Sequence, residues 1–600
     1  MLRPYSGFSC CDCQLAIANC RFVRCLKIKL AIGFAQKVLG GLAQISHAKA
    51  QRRKALPRFN SFLCAFAWES FFSQGNREYF LCKVLAIGNW QLAIIMMPAN
   101  ELDFDDVQGL VRFAFGSMHR ALFYLMRVKD LAAARSWLMN AHITSARALS
   151  PPPVTALQVA FTFEGLKALG VPNEVIEGFA PEFISGMADE SRSRRLGDLG
   201  ANAPSRWRWG GPDRAPHLAI MMYGKEGEME KCEAEFKGPS WDVAFEVLDR
   251  LPTSHLGEVE PFGFVDGISQ PVIDWEGKRT IHGDQLQYSN VVALGEFLLG
   301  YSNEYNEFTD RPLLDSASKG AAELLPALDQ PQKKDLGRNG TYLVIRQLEQ
   351  DVRGFWQFVD KAAESKPEVR TRLAEAMVGR ALDGAPLVPL DNKPIDGIGD
   401  DEKDRAYNQF TYAGDSSGDR CPFGAHIRRA NPRNADFPNP VKGMLSHLLQ
   451  TFGFGRKNIR DDLMSPTRFH RLLRRGREYG PGLSPQDALQ PKPVDDDERG
   501  LHFICINSNI ARQFEFVQGA WLMSTQFNGV SEESDPLMGN REPVPGSPDP
   551  TSFSIPRASG LRERCTGLPQ FVTVRGGAYF FLPSLRALRY FATIGETGHR

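Results

Sequence analysis

Two segments of this sequence place chemically active side chains in short, glycine-containing stretches. Residues 263–271 read GFVDGISQP and hold one acid, Asp266, between two glycines. Residues 420–433 read RCPFGAHIRRANPR and hold one imidazole, His426, which several arginines follow. An imidazole can bind a metal, a carboxylate can carry a proton, and guanidinium groups can bind anionic substituents. Together the segments predict a site for proton-coupled chemistry at a metal.

This combination of groups is the one that a haem peroxidase requires. Such an enzyme needs an imidazole on iron, an acid–base group on the opposite face, and cations for the propionates and the peroxide bond. His426 is the predicted proximal ligand of the iron, and Gly424 with Ala425 leaves room beside it for a flat macrocycle. A lone histidine is more often structural, so the neighbouring residues support this interpretation.

Asp266 is the predicted distal acid–base group, although Asp-Gly is also a common turn sequence. It would take the proton from H2O2 and return it to the leaving oxygen. A free aspartate titrates at about pH 3.9, and if burial raises this pKa only modestly, the base works at lower pH than a histidine would. We therefore expect an acidic optimum, at about pH 3–5.

Arg474, in the stretch LLRRG, is the predicted distal cation. A guanidinium above the iron stabilises the negative charge that develops on the departing oxygen. Its neighbours Arg471 and Arg475 stay open as alternatives. The residues Gly267, Ile268 and Ser269 follow Asp266 and are expected along the haem edge.

Further predictions concern the surroundings of the histidine. Arg428, Asn431 and Arg433 carry hydrogen-bond donors at the reach of propionates, against the alternative of a solvated basic turn. A carboxylate should accept a hydrogen bond from Nδ1 of His426. Glu515 is the candidate, because it borders the buried stripe of an amphipathic segment, although it could equally be a solvated flank. Trp356, Tyr479 and Trp521 are possible relays for surface oxidation, or simply packing aromatics.

Bulk composition is that of a globular protein with no strong partner signal. The chain has 600 residues and a net charge of +1, which does not favour nucleic acid or a membrane surface as a partner. Seven of the eleven cysteines lie in the first 82 residues, and the other four are scattered. This distribution suits a reducing compartment, so a soluble, cytoplasmic protein is expected. No Cys-x-x-Cys-His run occurs, so haem should be held non-covalently.

The first 97 residues differ from the rest of the chain. Residues 1–96 hold thirteen Lys and Arg against three acids, and charges interrupt every apolar run. A repeated Leu-Ala-Ile-x-Asn phrase is typical of degenerate sequence. We interpret residues 1–97 as a disordered extension or a translated upstream region. The doublet Arg52-Arg53 faintly resembles a twin-arginine export signal; a chance basic pair is the favoured interpretation.

The remaining sequence alternates strand-like and helix-like patterns in two similar series. Strands are predicted at 121–128, 156–163 and 217–223, and again at 341–346 and 501–506. Helices are predicted at 129–138, 349–362 and 509–522. Gly576-Gly577, between two apolar runs, predicts a hairpin turn. The twofold repetition indicates an α+β protein with two domains, each an antiparallel sheet with helices on one face.

Several motifs in a fixed order resemble the dye-decolourising peroxidases over roughly residues 107–592. They are the segments 263–271, 295–301, 379–386 and 421–433. The resemblance implies two ferredoxin-like domains, with haem b in the C-terminal domain near the domain interface. It also carries haem contacts onto Asn431, Pro432 and Arg433. One departure is the spacing of 48 residues from His426 to Arg474, which exceeds the family's spacing and is explained by an insertion at 434–465.

The resemblance implies an oxidoreductase that uses H2O2 to oxidise small and bulky donors, such as dyes and phenols, through a ferryl intermediate. The alternative is a haem-binding or haem-handling protein with little turnover, which would not need a paired acid and cation. A nucleotide-binding oxidoreductase is disfavoured, since no Gly-x-Gly-x-x-Gly turn follows a strand. The expected domains span residues 98–320, with the GxxDG motif, and 321–600, with the haem. A homo-oligomer is compatible with the sequence.

Overall fold

The computed structural model describes residues 102–277, 290–388, 407–408, 410–433, 467–542, 550–555, 557 and 561–594. The expectations for residues 1–97 and for the insertion at 434–465 lie outside these ranges. The central feature is an antiparallel sheet of nine strands. These are β1 (Arg120–Val128), β2 (Thr155–Phe161), β3 (Leu218–Gly224), β4 (Phe245–Pro252), β5 (Thr341–Gln350), β6 (Leu473–Arg474), β7 (Arg477–Tyr479), β8 (Gly500–Asn507) and β9 (Val572–Leu582).

The sheet consists of two halves with the same strand order. One half runs β4-β1-β3-β2, and the other runs β9-β5-β8-β6, with β7 also paired to β8. When the short strands β6 and β7 are counted as one, each half has its fourth strand beside the first, the first beside the third, and the third beside the second. Phe581 of β9 pairs with Phe161 of β2 where the halves meet. The predicted α+β class with antiparallel pairing is therefore confirmed.

Within the described ranges, five α-helices have nine or more residues: Leu131–Asn140, Met229–Lys237, Val352–Ala362, Pro367–Val378 and Leu585–Thr593. Side-chain caps begin several of them, since Asp130 accepts from Ala133 N, Asp351 from Gly354 N, and Ser584 from Ala587 N. The shorter α-helices are Gly109–Arg112, Phe163–Ala168, Asn173–Ile176, Pro181–Ser185, Glu190–Leu196, Trp241–Ala244, His426–Ala430 and Pro485–Ala488.

Other short elements complete the described chain. Two π-helical turns span Ala511–Glu515 and Val517–Leu522, where the sequence pattern predicts one continuous α-helix. Single 3-10 turns lie at Gly200–Asn202, Pro204–Arg206, Leu294–Glu296, Ala321–Glu323, Ala413–Asp415 and Thr467–His470. Four two-stranded ladders pair Val272–Asp274 with Val291–Ala293, Leu313–Asp315 with Lys333–Asp335, Gln526–Phe527 with Val530–Ser531, and Phe553–Ile555 with Glu563–Cys565.

Apolar side chains leave the sheet on both faces and form two cores. On β1, Leu122, Tyr124 and Met126 pack on one face, and Phe123 and Leu125 on the other. As predicted, the longer helices cover one face, to which they contribute residues such as Trp137, Phe355, Leu373 and Leu588. The opposite face is covered mainly by irregular segments around residues 102–118 and 290–301. In the described part of the chain, no helix is long and apolar enough to cross a bilayer.

The predicted hairpin turn at Gly576-Gly577 is wrong. Both glycines lie inside the continuous strand β9, whose register against β5 shifts between Val574 and Gly576. A Cβ at position 576 would lie 2.5 Å from the indole of Trp209, so the glycine makes room for that ring. The predicted helix at 349–362 also begins later, at Val352, because the ladder of β5 continues to Gln350.

Candidate active site

A cavity lies on the helix-covered face of the second half of the sheet. Its volume is about 270 Å³. Leu348, Leu501, Phe503 and Val572 line it from strands β5, β8 and β9. The predicted site residues that line it are Asp266, Ile268, Ser269, His426, Asn431 and Arg474. Residues far apart in the sequence thus line one cavity.

Asp266 is held by a tight hairpin. Its backbone N–H donates to Glu258 O at 3.0 Å, and an antiparallel bridge joins Val259 to Val265. Gly267, directly after the aspartate, has a φ of +79°, a conformation that favours glycine. Gly384, in the motif at residues 379–386, approaches this hairpin closely, since a Cβ there would lie 2.2 Å from Ile268 Cδ1. Glycines at both positions therefore fix where the carboxylate stands.

Arg474 forms an ion pair with Asp266. Its Nη1 donates to Asp266 Oδ1 at 2.9 Å, and its Nη2 donates to Ser269 O at 3.2 Å. The backbone N–H of Arg474 donates to Oε1 of Gln270 at 3.0 Å. The segment that follows the Asp266 hairpin therefore also holds the strand that carries Arg474. The side chains of Asp266 and Arg474 are 39% and 33% accessible, because both face the cavity.

The other two candidate arginines are used differently. Arg471 lines the cavity and donates from Nη1 to Asn431 Oδ1 at 3.0 Å. Arg475 points away and donates to the backbone oxygens of Leu110 and Val111. Among the three alternatives that the sequence leaves open, Arg474 is the residue that meets Asp266.

The pKa of Asp266 lies below its ordinary value. Burial by itself raises this pKa, but the charge of Arg474, the backbone N–H of Gly267 and the hydrogen bond from Arg474 together outweigh burial. The sequence-based expectation of a modestly raised pKa is therefore corrected. The carboxylate is ionised, and ready to accept a proton, even in acidic solution.

His426 begins a short helix and points its ring at a buried carboxylate. Its Nδ1 lies 2.9 Å from Asp535 Oδ2. The other oxygen, Oδ1, accepts from the N–H groups of Leu537 and Met538. Burial raises the pKa of Asp535, but the charge and hydrogen bond of His426 and the Met538 N–H hold it below the ordinary value. Since Asp535 is ionised, Nδ1 is the donor, and Nε2 is the ring nitrogen left for a metal.

Asp535 therefore takes the place that the sequence assigns to Glu515, and that prediction is wrong. Glu515 is buried elsewhere, where it accepts from Arg192 Nη1 at 3.0 Å and from Tyr579 Oη at 2.9 Å. The buried stripe of the predicted helix led to Glu515, whereas Asp535 lies 109 residues beyond His426 in an irregular segment. The sequence Asp535-Pro536-Leu537 is a turn signal that could have drawn attention to it.

Only some of the residues that were predicted to contact propionates line the cavity. Asn431 lines it. Arg428 does not, and its prediction is corrected: it is buried against Asp415, to which Nη1 donates at 2.8 Å, and between two aromatic rings. Arg433 is buried behind the wall and donates from Nη2 to Ser269 Oγ at 3.1 Å. Pro432 and Gly267 each follow a lining residue in the sequence but do not line the cavity themselves.

Sequence reasoning missed two arginines that line the cavity, Arg346 and Arg380. Arg380 belongs to the 379–386 motif, but nothing in that motif indicates which way its side chain points. Burial, aided by the charge of Arg433, lowers the pKa of Arg380 to about 10. Arg346 lies on β5 and forms an ion pair with the buried Asp198. The alternation of β5 could have indicated that Arg346 and Leu348 share a face.

The chemistry of these groups fits haem b. His426, whose Nδ1 is already bonded to Asp535, offers Nε2 to iron. Apolar walls, which include Ile268, Leu348 and Phe503, suit the macrocycle. Arg380 and Arg471 supply guanidinium groups of the kind that bind propionates. Four free cysteines, at 232, 421, 505 and 565, occur in the described part of the chain, and none of them lines this cavity.

Known proteins are similar in sequence to most of this chain, although no family model matches it. It is 28% identical over 516 residues to the dye-decolorizing peroxidase msp1 of Mycetinis scorodonius, covering 81% of this chain and 87% of the relative. It is 27% identical over 520 residues to the dye-decolorizing peroxidase AauDyP1 of Auricularia auricula-judae, covering 82% and 87%. Over 262 residues it is 32% identical to the multifunctional dye peroxidase DyP2 of an Amycolatopsis species, covering 42% and 48%.

Solved structures share its fold. A dye-decolorizing peroxidase in complex with 2,6-dimethoxyphenol matches with a TM-score of 0.59 and 23% identity, covering 82% of this chain and 100% of that one. The AauDyP structure complexed with imidazole matches with a TM-score of 0.58 and 23% identity over the same shares. At this identity the likeness concerns the fold alone.

Proposed function

The chain belongs to the dye-decolourising peroxidase family, and from this membership we propose that it is a haem b peroxidase that uses H2O2 to oxidise dyes and phenols. The observation that carries the proposal is that two hydrogen-bonded pairs meet at one cavity: Asp266 with Arg474, which both line it, and His426, which lines it, with the buried Asp535 behind its ring. A protein that merely carries haem has no need of the first pair.

In this proposal the haem is held non-covalently in the second of two ferredoxin-like domains, near their junction. The proposed domains span residues 98–320 and 321–600. The equal strand order of the two sheet halves supports this division. His426 would bind iron through Nε2, Ile268 and Ser269 would border the macrocycle, and Asn431 would reach a propionate together with Arg380 and Arg471.

Bound haem would supply the iron that accepts an oxygen of H2O2 and the oxidising power that the donors then discharge. Asp266, as a carboxylate, takes the proton of H2O2 and returns it to the leaving oxygen as water forms. Arg474 keeps Asp266 ionised and stabilises negative charge on the leaving oxygen. Asp535 orients His426 and increases its basicity through the bond to Nδ1.

The proposed donors are phenols and bulky dyes. A phenol is bound in the structure of one relative, and the names of several relatives refer to dyes. The proposed compartment is the cytoplasm. The four cysteines in the described part of the chain are free thiols, which supports a reducing environment.

Reconstitution with haem tests the proposal. We expect the full chain to bind haem, to change its absorption spectrum rapidly on addition of H2O2, and to bleach an anthraquinone dye. Asp266→Ala and Arg474→Leu should slow the spectral change and leave haem binding intact. Glu258→Gln, an exposed carboxylate in the same hairpin, is the matched control. Haem binding without turnover in the wild type would indicate the alternative function of haem handling, and failure to bind haem would overturn both.

A further inference from the structure

The hairpin of Asp266 carries a second carboxyl group into the cavity, that of Glu260. Glu260 N donates to Phe264 O at 2.9 Å, on the other side of the bridge from the Asp266 N–H bond to Glu258. In this register residues 260 and 266 lie on the same face as diagonal neighbours, with Cα atoms about 7–8 Å apart. The two acids therefore share one compartment.

Polar contacts hold the Glu260 carboxyl between the hairpin and the sheet. Its Oε1 accepts from the N–H of Phe264 at 3.2 Å, and its Oε2 accepts from Gln350 Nε2 at 3.0 Å. Gln350 is itself buried, with 6% of its surface exposed. The Glu260 carboxyl is therefore held at the cavity wall by two neutral donors, a backbone N–H and a side-chain amide.

No arginine neutralises Glu260 within the described ranges. The other charged or titratable groups that line the cavity are Asp266 on the hairpin, Arg346 on β5, Arg474 on β6, and Arg380, His426, His470 and Arg471. Arg474 is bonded to Asp266, and Arg346 to Asp198. Burial accordingly raises the pKa of Glu260 to about 7, to which the charge of Asp266 adds, against hydrogen bonds from Phe262, Gln350 and Phe264. The group carries a proton in acidic and near-neutral solution.

The proposed reaction has a place for such a proton. Reduction of H2O2 to two waters consumes two electrons and two protons. Asp266 returns the peroxide's own proton to the leaving oxygen, so formation of the first water takes up no further proton. Formation of the second water takes up both of the protons that the reaction consumes. A phenol oxidised inside the cavity brings a proton with its electron, but a bulky dye that stays outside delivers the electron alone.

On the premise of the proposed function, we propose that Glu260 supplies one of these protons through Asp266 when the donor is too large to enter the cavity. The O–H bond of Glu260 breaks, the Asp266 carboxylate accepts the proton, and Asp266 gives it to the oxygen that leaves as the second water. Glu260 then regains a proton from solvent. It acts through Asp266 and is a positioning residue that stores a proton.

Infrared difference spectroscopy on the full haem-bound chain tests proton storage without measuring activity. The wild type should show the C=O stretch of a protonated carboxyl that disappears as pH rises through about 7. Glu260→Gln should lack this band, and Glu258→Gln should keep it. A band that survives in Glu260→Gln, or its absence from the wild type below neutral pH, would overturn the inference.

Steady-state kinetics test the proton supply. With an anthraquinone dye, Glu260→Gln should lower kcat roughly tenfold. With 2,6-dimethoxyphenol, kcat should stay near that of the wild type, and the H2O2-induced spectral change should keep its rate. Added formic acid should restore dye turnover, as a diffusible proton donor would. Equal loss with both donors, or no rescue, overturns the inference alone; a wild type without turnover overturns the proposed function as well.

Discussion

The pair of Asp266 with Arg474 and the pair of Asp535 with His426 have the same N···O separation, 2.9 Å, but very different surroundings. Asp266 and Arg474 face the cavity, with side chains 39% and 33% accessible. Asp535 is completely buried beneath His426 and is further bonded to two backbone N–H groups. The open pair can exchange protons with a molecule in the cavity. The sealed pair cannot, and it instead fixes one ring orientation and one tautomer.

The difference shows how one kind of interaction serves two purposes. Where a pair is open, its energy contributes little to stability, and its value lies in the ionisation state that it maintains. Where it is sealed, removing one partner disturbs the geometry of the other. Substitutions in the open pair should therefore change rates, and substitutions in the sealed pair should change haem binding.

The largest effect is expected for Asp266→Asn. The amide cannot accept the peroxide proton, so kcat/KM for H2O2 should fall about a thousandfold. Haem affinity, measured by absorbance titration, should remain within about twofold, since the shape of the side chain is kept. A comparable loss of kcat/KM in Glu258→Gln would contradict the assignment of Asp266 as the group that accepts the peroxide proton.

Arg474→Leu should lower the same kcat/KM by about a hundredfold or more, because charge on the leaving oxygen loses its stabilising cation. Arg474→Lys should recover part of this rate. A lysine retains the charge but cannot span both Asp266 and Ser269 as the guanidinium does. Stopped-flow absorbance measures both variants, and equal rates for Leu and Lys would argue against a role for charge.

Asp535→Asn should act on the sealed pair and weaken haem binding by about 10–100-fold. The amide no longer polarises His426, and the spectrum of the bound haem should shift accordingly. Glu515→Gln is the informative control, because Glu515 is buried but bonded to Arg192 and Tyr579. If Glu515→Gln shifted the haem spectrum and Asp535→Asn did not, the sequence-based choice would be restored.

The pH profile should distinguish the pairs further. Since the pKa of Asp266 is held below its ordinary value, the active carboxylate persists in acid, and activity should fall only as pH drops through that lowered pKa. In Arg474→Leu burial is no longer opposed by the guanidinium, so the acid limb of log kcat/KM should move to higher pH. An unmoved limb would show that another group titrates.

The smallest effect is expected for Gln270, which joins the two sides of the open pair. Gln270→Leu removes the acceptor of the Arg474 N–H and should lower kcat/KM severalfold, as loss of one hydrogen bond of about 1 kcal/mol implies. Gln270→Glu keeps an acceptor and should retain most of the activity. Identical losses in both variants would indicate packing and not the hydrogen bond.

The local pattern of apolar and turn residues was sufficient to predict much of the fold. Strands β1, β2, β3 and β8 were predictable within two residues at each end, because apolar alternation and flanking turn residues are local properties. It failed at Gly576, where the reason for a glycine is the ring of Trp209, more than 360 residues earlier. The same limit explains Arg428, whose neighbours in sequence suggest an exposed donor but whose partner is the buried Asp415.

By itself the sequence determined the types of group available: one acid in a glycine-bracketed turn, and one imidazole that several arginines follow. Motif order along the chain also determined which family these groups resemble. The tertiary structure alone decided which groups meet. It brought Asp535 to His426, and it brought Arg474, and not Arg471 or Arg475, to Asp266. Such contacts depend on packing between distant segments, which no local spacing encodes.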